Sequence, residues 1–163
     1  MKIRMQKLLF ELIKNSKRSD RHLAKTLGVS QPTITRMRKK LEQKMISEYT
    51  VIPNWTELGY EIMALTFIGV KPTYLKEAEA KKVEKWMMKQ PNVVFAADGQ
   101  GMGMTGVIIS FHRDYTGFLQ FLTETRTEWA QHLTDIQTFI VTVKGGLVLK
   151  PFSLKYLTES KEN

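Results

Sequence analysis

Gln31, Thr35, Arg36, Arg38, Lys39 and Lys40 crowd into ten residues of the chain, and the chemistry open to such a set is recognition of a polyanion rather than bond making. A glutamine amide matches the N6/N7 edge of adenine, a guanidinium matches the O6/N7 edge of guanine, and a lysine ammonium meets phosphate as a point charge. At about 100° per residue along a helix, Thr35, Arg36, Lys39 and Gln43 lie opposite an apolar stripe of Ile34, Met37 and Leu41, with Gln31, Arg38 and Lys40 on the flanks. A recognition helix enters the major groove by its N-terminal residues. Gln31, Thr35 and Arg36 are therefore assigned to base edges, and Arg38, Lys39 and Lys40, with Arg21 and Ser30 just upstream, to phosphates.

A second constellation is the run Asp98-Gly99-Gln100-Gly101-Met102-Gly103-Met104-Thr105-Gly106. Its glycines allow backbone N–H groups close to a ligand, and Met102 and Met104 suit an apolar ligand or a protein contact. No Lys-Ser/Thr follows, and the run joins two strands rather than a strand to a helix, which excludes a nucleotide phosphate loop. The three histidines, His22, His112 and His132, have no metal-ligand spacing. With no cysteine and no G-x-S-x-G motif, thiolate zinc, disulfides and the usual serine nucleophile are out, and no cofactor is expected.

The elements that must carry these residues follow from periodicity. Met5, Leu8, Leu9, Leu12 and Ile13 form one helical stripe. Ser19 or Asp20 then caps a short helix bearing Leu23, Ala24 and Leu27, Gly28 turns the chain, and Ser30 with Pro32 opens a third helix running to about Gln43. Two helices joined by a glycine turn, the second basic, make a helix-turn-helix. The run SEYTVIP at 47–53 reads as the β wing beside it, and Pro53, Asn54 and Gly59 punctuate a connector. Further on, EIMALTFIGVK (61–71), a helical stripe of Leu75, Ala78, Val83 and Trp86, the strands NVVFAA and GVIISF, a helix marked by Tyr115, Phe118, Leu119, Leu122 and Trp129, and the strand IQTFIVTV (136–143) give the order β-α-β-β-α-β. Gly145-Gly146 can turn a hairpin into LVLKPF, an edge strand because Pro151 lacks a donor.

Charge separates the same two parts. Residues 1–50 hold thirteen Lys/Arg against four Asp/Glu, and residues 51–163 hold twelve against twelve, so the whole net charge of +9 sits in the first third of the 163-residue chain. That asymmetry is expected of a segment that meets a polyanion. The fold class is thus α+β: a winged helix-turn-helix at 1–50, a linker at 51–60, a ferredoxin-like domain at 61–157 for oligomerisation and effector sensing, and a polar tail at 158–163. Several strands are apolar on both faces while two helices cover only one face of a four-stranded sheet, so the other face calls for a second copy. The N-terminal apolar stretch is broken by Lys7, Glu11 and Lys14, and no stretch approaches a membrane span, which places the chain in the cytoplasm and away from membranes.

The run HLAKTLGVSQPTITRMRKKLE followed by MISEYTVIPNWTELGY resembles the helix-turn-helix and linker of the Lrp/AsnC (leucine-responsive, asparagine-responsive, feast-or-famine) transcription regulators, and the element order that follows is similar to that family's effector domain. Met37 on the inner stripe, and Lys44 where the family usually has Gly, depart from the pattern. The resemblance implies a sequence-specific regulator binding double-stranded DNA as a homodimer or larger ring. It also implies a small effector, usually an amino acid, at a subunit interface in the glycine loop, here Gly99, Gly101, Met102, Gly103 and Met104; the acidic residue typical there is replaced by methionine. Two alternatives share the build. One is a tetrapyrrole (sirohaem) decarboxylase using His112 and Arg113, whose characteristic histidine motif is not evident; the other is a non-specific architectural DNA-binding protein.

Overall fold

The computed structural model describes residues 3–71, 77–145 and 148–159. The chain divides into two compact units, Met1–Ile52 together with Lys150–Asn163, and Pro53–Leu149. Residues 150–157, placed by the sequence in the second domain, fall with the first unit.

In the first unit, α1 (Ile3–Lys14), α2 (Asp20–Leu27) and α3 (Gln31–Lys44) enclose Leu8, Leu12, Leu23, Ala24, Ile34 and Leu41, with Met5, Leu9, Leu27, Val29, Met37 and Ile46 packed around them. These are the stripes that the 3.6-residue period picks out. Ser19, not Asp20, caps α2, accepting from the His22 N–H. Gly28 ends the helix in the left-handed region, at φ 63°, and its N–H is donated to the Ala24 carbonyl, the conformation that turns the chain into α3 without a Cβ penalty. Ser30 occupies the N-cap position of α3 with extended backbone, yet makes no side-chain cap bond; its Oγ lies 2.8 Å from Thr33 Oγ1 instead. A short α6 (Tyr156–Glu159) lies against α1.

The SEYTVIP wing forms no strand: residues 46–54 carry no regular structure. A β-favouring segment needs a ladder partner to become a strand, and none pairs with it among the described residues. The same correction applies to LVLKPF. Residues 148–152 are not a strand, and Gly146 and Leu147 lie outside the described residues; Pro151 removes a ladder donor and most of the apolar side chains there remain exposed.

In the second unit, β1 (Ile62–Val70), β2 (Val93–Gly101), β3 (Met104–His112) and β4 (Leu133–Thr142) form one antiparallel sheet in the order β2-β3-β1-β4, with α4 (Glu77–Met87) and α5 (Tyr115–Trp129) supplying the ferredoxin-like order. Leu75, expected on α4, lies outside the described residues. Side chains alternate across the pleat. Ile62, Ala64, Thr66, Ile108, Ser110 and His112 are buried, and Phe118, Phe121, Thr125 and Trp129 of α5 are buried with them. On the opposite face the register aligns Phe95, Ile109, Leu65 and Phe139 in one row across all four strands. Phe95 is 51% and Phe139 66% exposed.

Residues 53–60, expected as a linker, fold as a turn in this unit. Trp55 stacks on Phe111 with ring centroids 3.9 Å apart, and Tyr60 meets both rings edge-on. That cover is why Phe111 is buried while its neighbours on the same face are not.

Candidate nucleic-acid interface

The helical head, residues 1–50, is strongly cationic, and three of its four acids pin it together. Glu11 accepts from Arg18 and Lys14, Glu42 Oε1 accepts from the Tyr49 hydroxyl at 3.0 Å, and Asp20 is the hub between α2 and α3. Its Oδ2 accepts from Thr35 Oγ1 at 2.7 Å, its Oδ1 from Arg38 Nε at 2.8 Å. Arg38 also donates to the Arg18 carbonyl at 3.1 Å and to the Tyr49 hydroxyl at 3.5 Å. Partial burial lowers the Arg38 pKa, but the hydrogen bonds to Tyr49 and Asp20 and the Asp20 charge outweigh it and hold the guanidinium above its usual value. Tyr49 is pushed up by burial and by its bond to Glu42, against the opposing pull of Arg38.

This network sorts the sequence-assigned residues. Gln31, Thr35, Arg36 and Lys39 line one shallow surface depression with Pro32, and all of them, with Arg21, Ser30 and Lys40, are exposed. Arg38 departs from its assignment: its side chain is only 18% exposed and three of its five N–H donors are bonded within the head, to Asp20, the Arg18 carbonyl and Tyr49, so it clamps α3 to α2 instead of standing fully free for phosphate. The single Thr35 proton is shared between Asp20 and the Gln31 carbonyl, which leaves its methyl group and acceptor lone pairs for a partner. Sequence reasoning missed the hub; an acid alone among cations at the start of a helix was its signal.

The glycine run is mostly strand. β2 continues to Gly101 and β3 begins at Met104, so only Met102 and Gly103 turn, at φ 53° and 74°. Two successive positive φ angles are those of a type I′ hairpin, whose twist matches the flanking strands. Gly99 sits in a stretch where the pairing register shifts, Met102 is exposed and Met104 is buried. The expected loop is therefore a tight hairpin tip, without a cradle of its own.

His112, considered for tetrapyrrole chemistry, is buried at 4% exposure between Phe118 and Phe121, with Nε2 2.8 Å from Ser110 Oγ. Nothing there admits a large substrate. Burial holds its pKa below the ordinary 6.5, only partly offset by a backbone bond with Gly117 and the charge of Asp114. The native state thus keeps a neutral ring where the unfolded chain takes up a proton. Stability is complete above the unfolded value near 6.5 and falls as pH drops below it, by at most about 1.4 kcal/mol per pH unit, until the lowered native pKa is reached. His112→Gln is expected to lose that component. Urea titrations of both proteins from about pH 8 to 5 test this, and parallel pH profiles would refute it.

Among the described residues no helix is long and apolar enough to cross a membrane, and no cluster of three or more His, Asp or Glu is placed to hold a metal ion. Comparison with known proteins agrees with the geometry. A winged helix-turn-helix DNA-binding family matches residues 1–44. The HTH-type transcriptional regulator LrpA of Pyrococcus horikoshii is 32% identical over 80 residues, 48% of this chain and 57% of that protein. An AsnC family transcriptional regulator from Agrobacterium tumefaciens superposes with a TM-score of 0.81 at 15% identity, over 94% of this chain and 95% of that one. The fold is that of Lrp/AsnC-type regulators. A transcriptional regulator of Neisseria meningitidis, solved as a complex with L-Met, has the same fold, with a TM-score of 0.80 at 16% identity over 95% of each chain. The matched stretch spans about half the length of the curated relatives. The Lrp/AsnC relatives named here are transcriptional regulators, not enzymes.

Proposed function

We propose that this protein is a sequence-specific DNA-binding transcriptional regulator of the cytoplasm that acts as a homodimer or larger homo-oligomer. The observation that carries the reading is the exposed, cationic outer face of α3, on which Gln31, Thr35, Arg36 and Lys39 stand together on a helix pinned to α2 through Asp20. Gln31, Thr35 and Arg36 read base edges in the major groove; Arg21, Ser30, Lys39 and Lys40 hold phosphates, and Arg38 supports them from behind. The uncovered apolar face of the sheet packs on its copy, which brings two recognition helices to half-sites about 34 Å apart. The Met102-Gly103 tip contacts another copy and a small effector, for which L-Met, present in the neisserial complex, is the first to titrate.

Fluorescence anisotropy with DNA from upstream of the coding region and a shuffled duplex, across a salt series, tests the reading. Arg36→Ala is expected to cost about 1–3 kcal/mol on the specific site and to relax its preference, whereas Lys39→Ala weakens all sequences alike. Equal losses on both duplexes for both variants favour an architectural protein, and absence of binding at low salt ends the DNA reading.

A further inference from the structure

A cleft of about 460 Å³ opens in the second unit between α4 and the segment that joins α5 to β4. Its floor is aromatic. Trp86 lies near-parallel to Phe121 with centroids 6.5 Å apart and meets Trp129 edge-on at 6.0 Å, and Trp129 in turn lies 6.2 Å from the His132 ring. Its rim is cationic: Lys82, Lys85 and Lys89, spaced i, i+3 and i+7, are exposed along one side. The acid in the described lining is Glu128. Because residues 51–163 carry equal numbers of Lys/Arg and Asp/Glu, this concentration of positive charge is local. The wall behind is fixed by backbone: the Lys71 ammonium donates to the Gln131 carbonyl at 2.8 Å, the Lys71 N–H to the His132 carbonyl at 2.9 Å, and the His132 N–H to the Trp129 carbonyl at 2.9 Å.

An open cleft with aromatic rings at its base and charged groups on its rim is a form that can take a small molecule. Aromatic rings at the base favour a planar ring, and a rim of ammonium groups favours a negative charge on it. A merely solvated lysine face calls for neither the concavity nor two tryptophans beneath it. We propose that this cleft binds a small aromatic anion, a planar ring bearing a carboxylate or phosphate, with the ring against Trp86 and the anion between Lys85 and Lys89. The proposal rests on none of the DNA-binding argument and concerns a place apart from the Met102-Gly103 tip.

Calorimetric titration of the full chain with adenosine 5′-monophosphate and with indole-3-acetate tests it, with adenosine as the neutral control. At least one anion is expected to bind saturably, more weakly as salt rises, and at least tenfold more tightly than adenosine. K85E/K89E, which changes only exposed positions, is expected to lose at least tenfold in affinity while keeping its circular dichroism spectrum, and Glu128→Gln to gain affinity. Failure of both anions to bind, or equal binding by parent and K85E/K89E, overturns the proposal. So does binding of random duplex DNA by an R36A/K39A protein that is lost on adding K85E/K89E without any binding of the small anions, which assigns the face to nucleic acid. Loss of operator binding alone refutes the regulatory reading and leaves this one standing.

Discussion

Leu41→Ala is expected to remove about 2–5 kcal/mol from the head and with it most DNA binding, although Leu41 is on the inner side of α3 and touches no proposed partner. Among the described residues the buried apolar cluster of the head has six side chains, of which Leu41, at 0% exposure, is the one nearest the end of α3. Deleting its branched end leaves a cavity that three short helices can close only by shifting, and a small core has little stability to lose. The backbone bonds from Met45 and Ile46 to the Leu41 carbonyl, at 2.7 and 2.9 Å, tie the helix end to the same residue. Urea titration followed by far-ultraviolet circular dichroism should show early loss of helix, while the near-ultraviolet signal of Trp86 and Trp129 in the second unit persists. A loss below about 1 kcal/mol would mean that the head core is organised otherwise than these contacts indicate.

Local regularity explains how much of this was legible from the sequence. The three helices of the head repeat apolar residues at the helical period and carry their own punctuation, Ser19, Gly28 and Ser30 with Pro32, so short-range rules place them. The β-α-β-β-α-β order is equally visible, because each strand is an apolar run of the right length. What escaped depends on distant residues. That Arg38 is bound to Asp20, eighteen positions earlier, follows from the crossing of α2 and α3 and not from the helical projection, which shows Arg38 as one more flanking cation. Ser30 has the right residue type and backbone for a cap, yet its hydroxyl turns to Thr33.

Among the strand and loop expectations the errors share a cause. Glycines at 99, 101, 103 and 106 suggested an open loop, but β2 and β3 pair on through Gly101 and Met104, and strand pairing overrides the glycine signal wherever a partner is alongside. Conversely, SEYTVIP and LVLKPF have strand composition without a partner strand and stay irregular. The packing of Trp55 on Phe111 joins residues more than fifty positions apart, and the aromatic base of the α4–α5 cleft likewise exists only once two helices are docked.

Phe139→Glu is expected to weaken self-association at least about a hundredfold while leaving the folded chain nearly as stable as before. These two outcomes are seldom paired, and their combination is what makes the substitution informative. Phe139 is 66% exposed on the outer side of β4, so a carboxylate there remains hydrated in a single chain and costs the fold little. It ends the row Phe95, Ile109, Leu65 and Phe139 that crosses the whole sheet. Cross-strand neighbours in such a row act as one apolar surface, too continuous for a face meant to stay in water. If a second copy covers it, the charge must be buried against another sheet with no cation in the row to meet it, and dissociation is the cheaper course. Sedimentation velocity over a range of concentrations separates the cases. A stable monomer at concentrations where the parent is dimeric supports the sheet-to-sheet interface, and the same protein should hold single half-sites weakly because its two recognition helices are no longer coupled. An unchanged oligomer would mean that the copies meet elsewhere, and the exposed row would then need a different occupant.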